Sequence, residues 1–309
     1  MQKVVDGIYI GGLLALKGIE ALDEVGITHV LSVLNTVKDS LLAGNQLVCI
    51  QPNFFSLFWK VKRKNLIIAA EDTVGFNLID HFEQCNDYIQ DVLDSNGRVL
   101  IHCFAGVSRS ATVLAAYLMQ RNSISSEKAL SMIRSARPQI HPNEGFMQQL
   151  EIYEKCHYHP RPENPIYRQW KFRNDAFNPN FRPPILKSYA DITATAGGGN
   201  ELKCKKCRRL LAFESHIFTH KPKNDNTPEV PNVLKGSLLS SKCTHYFLEP
   251  LKWMQTELEK GKLGGRLDCP KCNSKVGYYG WQGMKCSCSE WVTPAITLQR
   301  AKVDEIERR

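Results

Sequence analysis

The sequence predicts an α/β domain, a central mainly parallel sheet flanked by helices, followed by a small C-terminal β-rich domain organised by cysteines. Three observations carry this expectation. The first half alternates short apolar runs with stretches whose apolar residues recur every three or four positions, as strands connected by helices do. Seven of the eleven cysteines lie between Cys204 and Cys288, with two Cys-x2-Cys pairs among them. Between the halves, HPRPENP, NPNFRPPILK and TATAGGGN supply proline and glycine without a sustained period. The expected organisation is a domain over 1–157, a linker over 158–200 and a second domain over 201–309.

In chain order, GIYIG (7–11), ITHVLSVLN (27–35) and LVCIQP (47–52) read as strands, and RVLIHC (98–103) as a buried one. Helices are expected over 19–26, 77–95, 110–122, 125–137 and 143–156, where apolar residues keep helical spacing. Asn77 is placed to cap the first long helix. Ser125 is an N-cap with Lys128 three residues on, so no capping box forms. A short helix is expected over IYRQWKFRNDAF (166–177) inside the linker, and a terminal one near AKVDEIERR (301–309).

The net charge of +9 is uneven. Residues 1–160 hold 14 basic and 16 acidic side chains, and residues 161–309 hold 26 and 15. Any phosphate-rich partner is therefore expected at the second half. No run approaches the apolar length of a membrane span. MQKVVDGIYIGG lacks the apolar core of a secretory signal, so an intracellular protein with reduced thiols is expected.

His102-Cys103-Phe104-Ala105-Gly106-Val107-Ser108-Arg109-Ser110 follows a strand and opens a helix. Such a loop turns backbone N–H groups and the positive helix end toward one point, where a phosphate dianion fits. Gly106 lets the backbone approach the ligand, and Arg109 can return a two-pronged fork to phosphoryl oxygens. A cysteine at a helix N-terminus beside an arginine loses its proton readily, and the thiolate is the attacking species. Attack at phosphorus would give a phosphocysteine that water clears. Ser110 is placed to donate a hydrogen bond to the departing sulfur.

This segment resembles the C-x5-R-[ST] signature of the protein tyrosine phosphatase superfamily, and A-G-V-S-R-S its dual-specificity branch. The resemblance implies catalytic Cys103, Arg109, Asp72 and Ser110, with phosphate bound by residues 104–109. Asp72 would be the general acid, on a loop some thirty residues before the nucleophile. Glu71 is its competitor, while Asp80 and Asp87 fall in the helix. Asn143, in a segment resembling P-N-x-G-F, would brace the phosphate loop, or cap the last helix, or both. His102 would orient loop backbone. The compact first half implies a shallow pocket for phosphoserine, phosphothreonine and phosphotyrosine. Uncharged Phe104, Ala105 and Val107 differ from the lysines that the superfamily's lipid phosphatases usually carry there, and Val107-Ser108-Arg109-Ser110 from the N-R-T-G of its RNA 5′-triphosphatases, so the resemblance does not extend to those branches.

Cys204-Lys-Lys-Cys207 and Cys269-Pro-Lys-Cys272 each present two thiolates to one tetrahedral metal, most simply zinc. With Cys243, Cys286 and Cys288 they make seven ligands, one short of two sites, and His216, His220 and His245 are candidates for the eighth. The simplest partition is Cys204, Cys207, His220, Cys243 and Cys269, Cys272, Cys286, Cys288; an interleaved one uses the same residues. Both ions would be structural, with none needed for catalysis. Lys203–Arg209 adds five positive charges in seven residues, suited to RNA phosphates, an acidic protein or a solvated face.

Taken together, K-C-K-K-C-R-R-x-L, C-T-H-Y-F-x-E-P-x-x-W-M, C-P-K-C and C-S-C-x-x-W-x-T-P-A behind the phosphatase signature resemble the zinc-binding dual-specificity phosphatase 12 family. The resemblance implies phosphorylated protein substrates, His220 as the eighth ligand and a cytoplasmic and nuclear protein. It further implies a role in late maturation of the large ribosomal subunit, releasing a placeholder protein before stalk assembly. Pre-ribosomal RNA and protein would then be partners, with no membrane. Two readings stand: a phosphatase targeted by its zinc domain, or an assembly factor whose phosphatase domain is auxiliary.

Overall fold

A computed structural model describes residues 1–35, 63–176, 199–218, 220 and 243–307. Expected strand 47–52 lies outside them. Two compact units divide at Arg161/Pro162.

The first unit is built on a five-stranded sheet of order β1-β2-β5-β3-β4. Its strands are β1 (Gln2–Val5), β2 (Ile8–Gly12), β3 (His29–Leu34), β4 (Lys64–Ala69) and β5 (Val99–Cys103). Only β1 runs antiparallel to its neighbour, which confirms the mainly parallel sheet. Strands covered on both faces read as continuous apolar runs, and Val99–Cys103 is buried at every position. That strand sits mid-sheet, so the segment after it emerges at the C-terminal edge, where parallel sheets bind ligands. β1 and β4 were not expected: QKVV is too short to show a period, and KNLIIA lacks one.

Helices α1 (Ile19–Val25), α2 (Phe82–Asp94), α3 (Arg109–Asn122), α4 (Ser126–Ala136) and α5 (Glu144–Lys155) accompany the sheet. In α3 every residue from Arg109 to Met119 is buried. A helix buried all round is central to the unit, and its polar members Arg109, Ser110 and Thr112 therefore call for partners. Ser125 caps α4 as expected, accepting from Lys128 N. Asn77 does not cap α2: a 3-10 turn over Leu78–His81 comes first, and Asn77 makes no capping bond there. Burial of Leu78 and Ile79 pulls the chain inward. Gln149 of α5 then takes over, accepting from Ile79 N at 2.9 Å and donating to Phe76 O at 2.7 Å.

The second unit opens with α6 (Pro165–Ala176), a helix within the stretch expected to be linker. Its Phe172 stacks on Phe218 at 5.9 Å, and its Arg168 forms a two-pronged pair with Glu249, which is 1% exposed. Three antiparallel strands, β14 (Val303–Ile306), β6 (Glu201–Cys204) and β7 (Leu210–Phe213), form one sheet. β8 (His245–Phe247), β13 (Ala295–Gln299), β10 (Lys275–Gly280) and β9 (Gly264–Asp268) form another. A ribbon of β11 (Met284–Lys285) and β12 (Trp291–Val292), and the one-turn α7 (Gln255–Leu258), complete the β-rich unit. The expected terminal helix is wrong, because β14 and a 3-10 turn over Arg300–Lys302 occupy that stretch. Pairing to β6 overrides helix propensity. Val303 enters the core, while Asp304 meets Arg208 and Glu305 accepts from Tyr246 Oη at 2.8 Å.

Candidate active site and metal-ligand groups

Cys103 ends β5 at 1% exposure. Its Sγ accepts from Gly106 N at 3.2 Å and lies 3.3 Å from Ser110 Oγ. Around it, five successive carbonyls are held from outside the curve. His102 Nδ1 donates to Cys103 O (3.2 Å), Leu13 N to Phe104 O (2.9 Å) and Arg137 Nη2 to Ala105 O (3.0 Å). Arg137 Nε donates to Gly106 O (2.7 Å), and His141 N to Val107 O (2.9 Å). With the carbonyls engaged outward, the loop's N–H groups are left to face an anion. Gly106 is required twice over: its φ is +71°, and a Cβ would stand 2.4 Å from Gly11 O.

His102 is fully buried, and burial pushes its pKa down to about 4. The ring is then neutral at physiological pH, and since a carbonyl only accepts, Nδ1 carries the proton. Nε2 consequently accepts from Ser32 Oγ at 2.7 Å. The imidazole thus ties the end of β5 to β3 and holds loop backbone.

Arg109, 4% exposed, donates from Nη1 to Ala70 O at 3.1 Å and sets Nε 3.4 Å from Asp72 Oδ2. Asp72 Oδ1 accepts from Ser108 Oγ at 2.7 Å and Asn143 Nδ2 at 2.9 Å. Asn143 also caps α5, its Oδ1 accepting from Phe146 N at 3.0 Å. Capping is therefore present, but the side chain does not brace the phosphate loop: its amide reaches Asp72, and the bond to the loop is made by the backbone, Asn143 N to Ser108 Oγ at 3.2 Å. Glu71 points elsewhere and accepts from Asn35 Nδ2 at 2.9 Å. Gly145 explains part of the P-N-x-G-F pattern, since a Cβ there would lie 2.0 Å from Val74 O of the Asp72 loop.

Sequence reasoning missed Arg137. An arginine at a helix C-cap ordinarily just meets the dipole, whereas this one is 9% exposed and bonds two loop carbonyls and Gln2 Oε1. Charge-assisted bonds of this kind contribute roughly 1.5–3 kcal/mol each. Arg137→Met is expected to lower kcat/KM by about 10–100-fold through a loosened loop. Lysine cannot reproduce the fork, so full activity in Arg137→Lys would contradict the clamp.

In the second unit the eight expected ligands fall into two groups, but not in the simplest partition. Cys204, Cys207, Cys269 and Cys272 converge, as do His220, Cys243, Cys286 and Cys288, with ligand atoms in each group within 4.8 Å. This interleaving corrects the sequential assignment. Each Cys-x2-Cys knuckle closes with the same backbone pair, Arg208 N to Cys204 O (2.8 Å) and Asn273 N to Cys269 O (2.9 Å), with Arg208 and Asn273 left-handed. Two like knuckles face one another across one point. Cys204 Sγ···Cys272 Sγ is 3.8 Å and Cys207 Sγ···Cys269 Sγ is 3.5 Å, far from a disulfide. A tetrahedron with zinc–sulfur bonds of about 2.3 Å has edges of about 3.8 Å, so the donors fit. His220 Nε2···Cys243 Sγ, 3.5 Å, fits the mixed edge. His216 is a core residue whose Nδ1 accepts from Phe213 N at 3.0 Å, and His245 is held by Thr244 and Tyr278.

A buried thiol in a strand–loop–helix turn, with Arg109 and Asp72 beside it, is the arrangement expected of a phosphatase of the dual-specificity class. Residues 8–156 match the family described as dual specificity phosphatase, catalytic domain. The chain is 38% identical over 310 residues to tyrosine-protein phosphatase yvh1 of Schizosaccharomyces pombe, covering 100% of this chain and 86% of that protein. It is 32% identical over 317 residues to human dual specificity protein phosphatase 12 (99% and 89% covered). It is 32% identical over 350 residues to YVH1 of Saccharomyces cerevisiae (99% and 91%). The chain belongs to the Yvh1/dual specificity protein phosphatase 12 family and is a protein phosphatase of the dual-specificity class. No helix among the described residues is long and apolar enough to cross a membrane.

Proposed function

We propose that the chain dephosphorylates phosphotyrosine, phosphoserine and phosphothreonine in proteins through a phosphocysteine on Cys103. Loop N–H groups of residues 104–109 and the Arg109 fork hold the phosphoryl oxygens. Cys103 Sγ attacks phosphorus as the P–O ester bond breaks, and Asp72 passes its proton to the leaving oxygen. Water then attacks phosphorus, returning a proton to Asp72 as the S–P bond breaks, and Ser110 steadies the freed sulfur by hydrogen bonding. The observation that supports this most is Cys103 Sγ at the focus of a loop whose carbonyls are all engaged outward.

In this reading the two ligand groups hold structural zinc, which supplies folding free energy rather than chemistry. The second unit further acts in maturation of the large ribosomal subunit, in cytoplasm and nucleus. Exposed Lys205, Lys206 and Arg209 around the first knuckle favour that second role by offering charge to RNA phosphates. In Saccharomyces cerevisiae lacking its Yvh1 relative, wild-type chain is expected to restore large-subunit levels and Cys269→Ser to fail. If Cys103→Ser alone fails, the assembly role of the second unit is wrong.

A further inference from the structure

The groups around Asp72 fix one another's hydrogen positions. Asn143 Oδ1 accepts from Phe146 N, so its amide NH2 must face Asp72 Oδ1. Asn143 N donates to Ser108 Oγ, leaving the hydroxyl proton for that same Oδ1. One carboxylate oxygen therefore receives two hydrogen bonds, while Oδ2 faces Arg109 Nε. Ser108 is the N-cap of α3 yet makes no capping bond, although serine is among the best capping residues. Its side chain is committed to Asp72, which leaves the first-turn N–H groups of α3 uncapped for an anion. The Asp72 side chain is 33% exposed, open enough for a leaving group to reach it.

We propose that Ser108 and Asn143 are positioning residues that grip Asp72 by Oδ1, so that the catalytic proton is carried on Oδ2 and delivered from it. This rests on Asp72 being the general acid. A proton on Oδ1 would confront two close donors, whereas Oδ2 meets only Arg109 Nε, at the longer distance of 3.4 Å, and can carry the proton toward the bound phosphate ester. In the forward step the Oδ2–H bond breaks as the leaving oxygen gains the proton. The carboxylate left behind keeps both bonds to Oδ1, and in hydrolysis the proton from water returns to Oδ2.

The test is the dependence of kcat/KM, which reports the step that expels the leaving group, on leaving-group pKa across a series of aryl phosphates, measured on the full chain. Protonation matters most for poor leaving groups, and a positioned acid is worth about 10²–10⁴-fold there. Ser108→Ala and Asn143→Ser, the latter still able to cap α5, are expected to steepen that dependence. kcat/KM for phenyl phosphate should fall about tenfold more than kcat/KM for a dinitrophenyl phosphate. Ser108→Thr, which keeps the hydroxyl, should return the slope toward wild type. Parallel lines, with equal loss on every substrate, would overturn the proposal and leave both residues as loop supports only. Asp72→Asn sets the limit: if its slope matches wild type, Asp72 is not the acid and the underlying reading fails with it.

Discussion

Replacing Cys103 by serine is expected to lower phosphatase turnover by on the order of 10⁴-fold or more while leaving the fold and the bound metal intact. Oxygen is smaller than sulfur, so the side chain fits without overpacking, and it too accepts hydrogen bonds from the Gly106 N and Ser110 side. The carbonyl ring around the loop does not involve Sγ at all. What changes is the nucleophile, because a serine hydroxyl stays protonated near neutral pH and is activated only with a base beside it. Phosphate release from a phosphotyrosine peptide measures the loss, and an acid quench of labelled substrate should recover phosphate on the wild-type chain and none on the variant. Turnover within tenfold of wild type would remove Cys103 as the attacking residue.

The fate of each reading follows from what a linear sequence can encode. The buried strand ending at Cys103 and the loop after it are local, so strand, curve and helix could be read from consecutive residues. The holders of that curve are not local: Leu13, Arg137 and His141 reach it from other segments, and only backbone or long-range bonds reveal them. Ser108 shows the same limit, since the partners of its hydroxyl, Asp72 and Asn143, lie 36 and 35 residues away. Asn77 failed as a cap because a neighbouring helix satisfied the turn first. The Val303–Ile306 strand was misread because four residues with two acids resemble a helix end until β6 supplies a partner.

The metal groups carry the other large prediction, because their pairing decides how the second unit is stapled. The Cys204–Cys207 knuckle lies in the β6–β7 hairpin and Cys269–Cys272 in the β9–β10 hairpin, so the first group joins the two sheets. Wild-type chain is expected to hold two zinc ions, and the two partitions then make opposite statements about double variants. With the observed grouping, Cys204→Ser combined with Cys272→Ser damages one site and retains one ion, whereas Cys204→Ser with Cys243→Ser damages both. Chain-order pairing reverses those outcomes. Structural zinc in small peptides contributes on the order of 10 kcal/mol to folding, so losing the first site should also unfold the second unit at a lower temperature. Cys204→His tests the grouping without removing a donor. On cobalt it should convert a four-sulfur spectrum and leave two sites of three sulfurs and one nitrogen, while a surviving four-sulfur band would return the chain-order pairing.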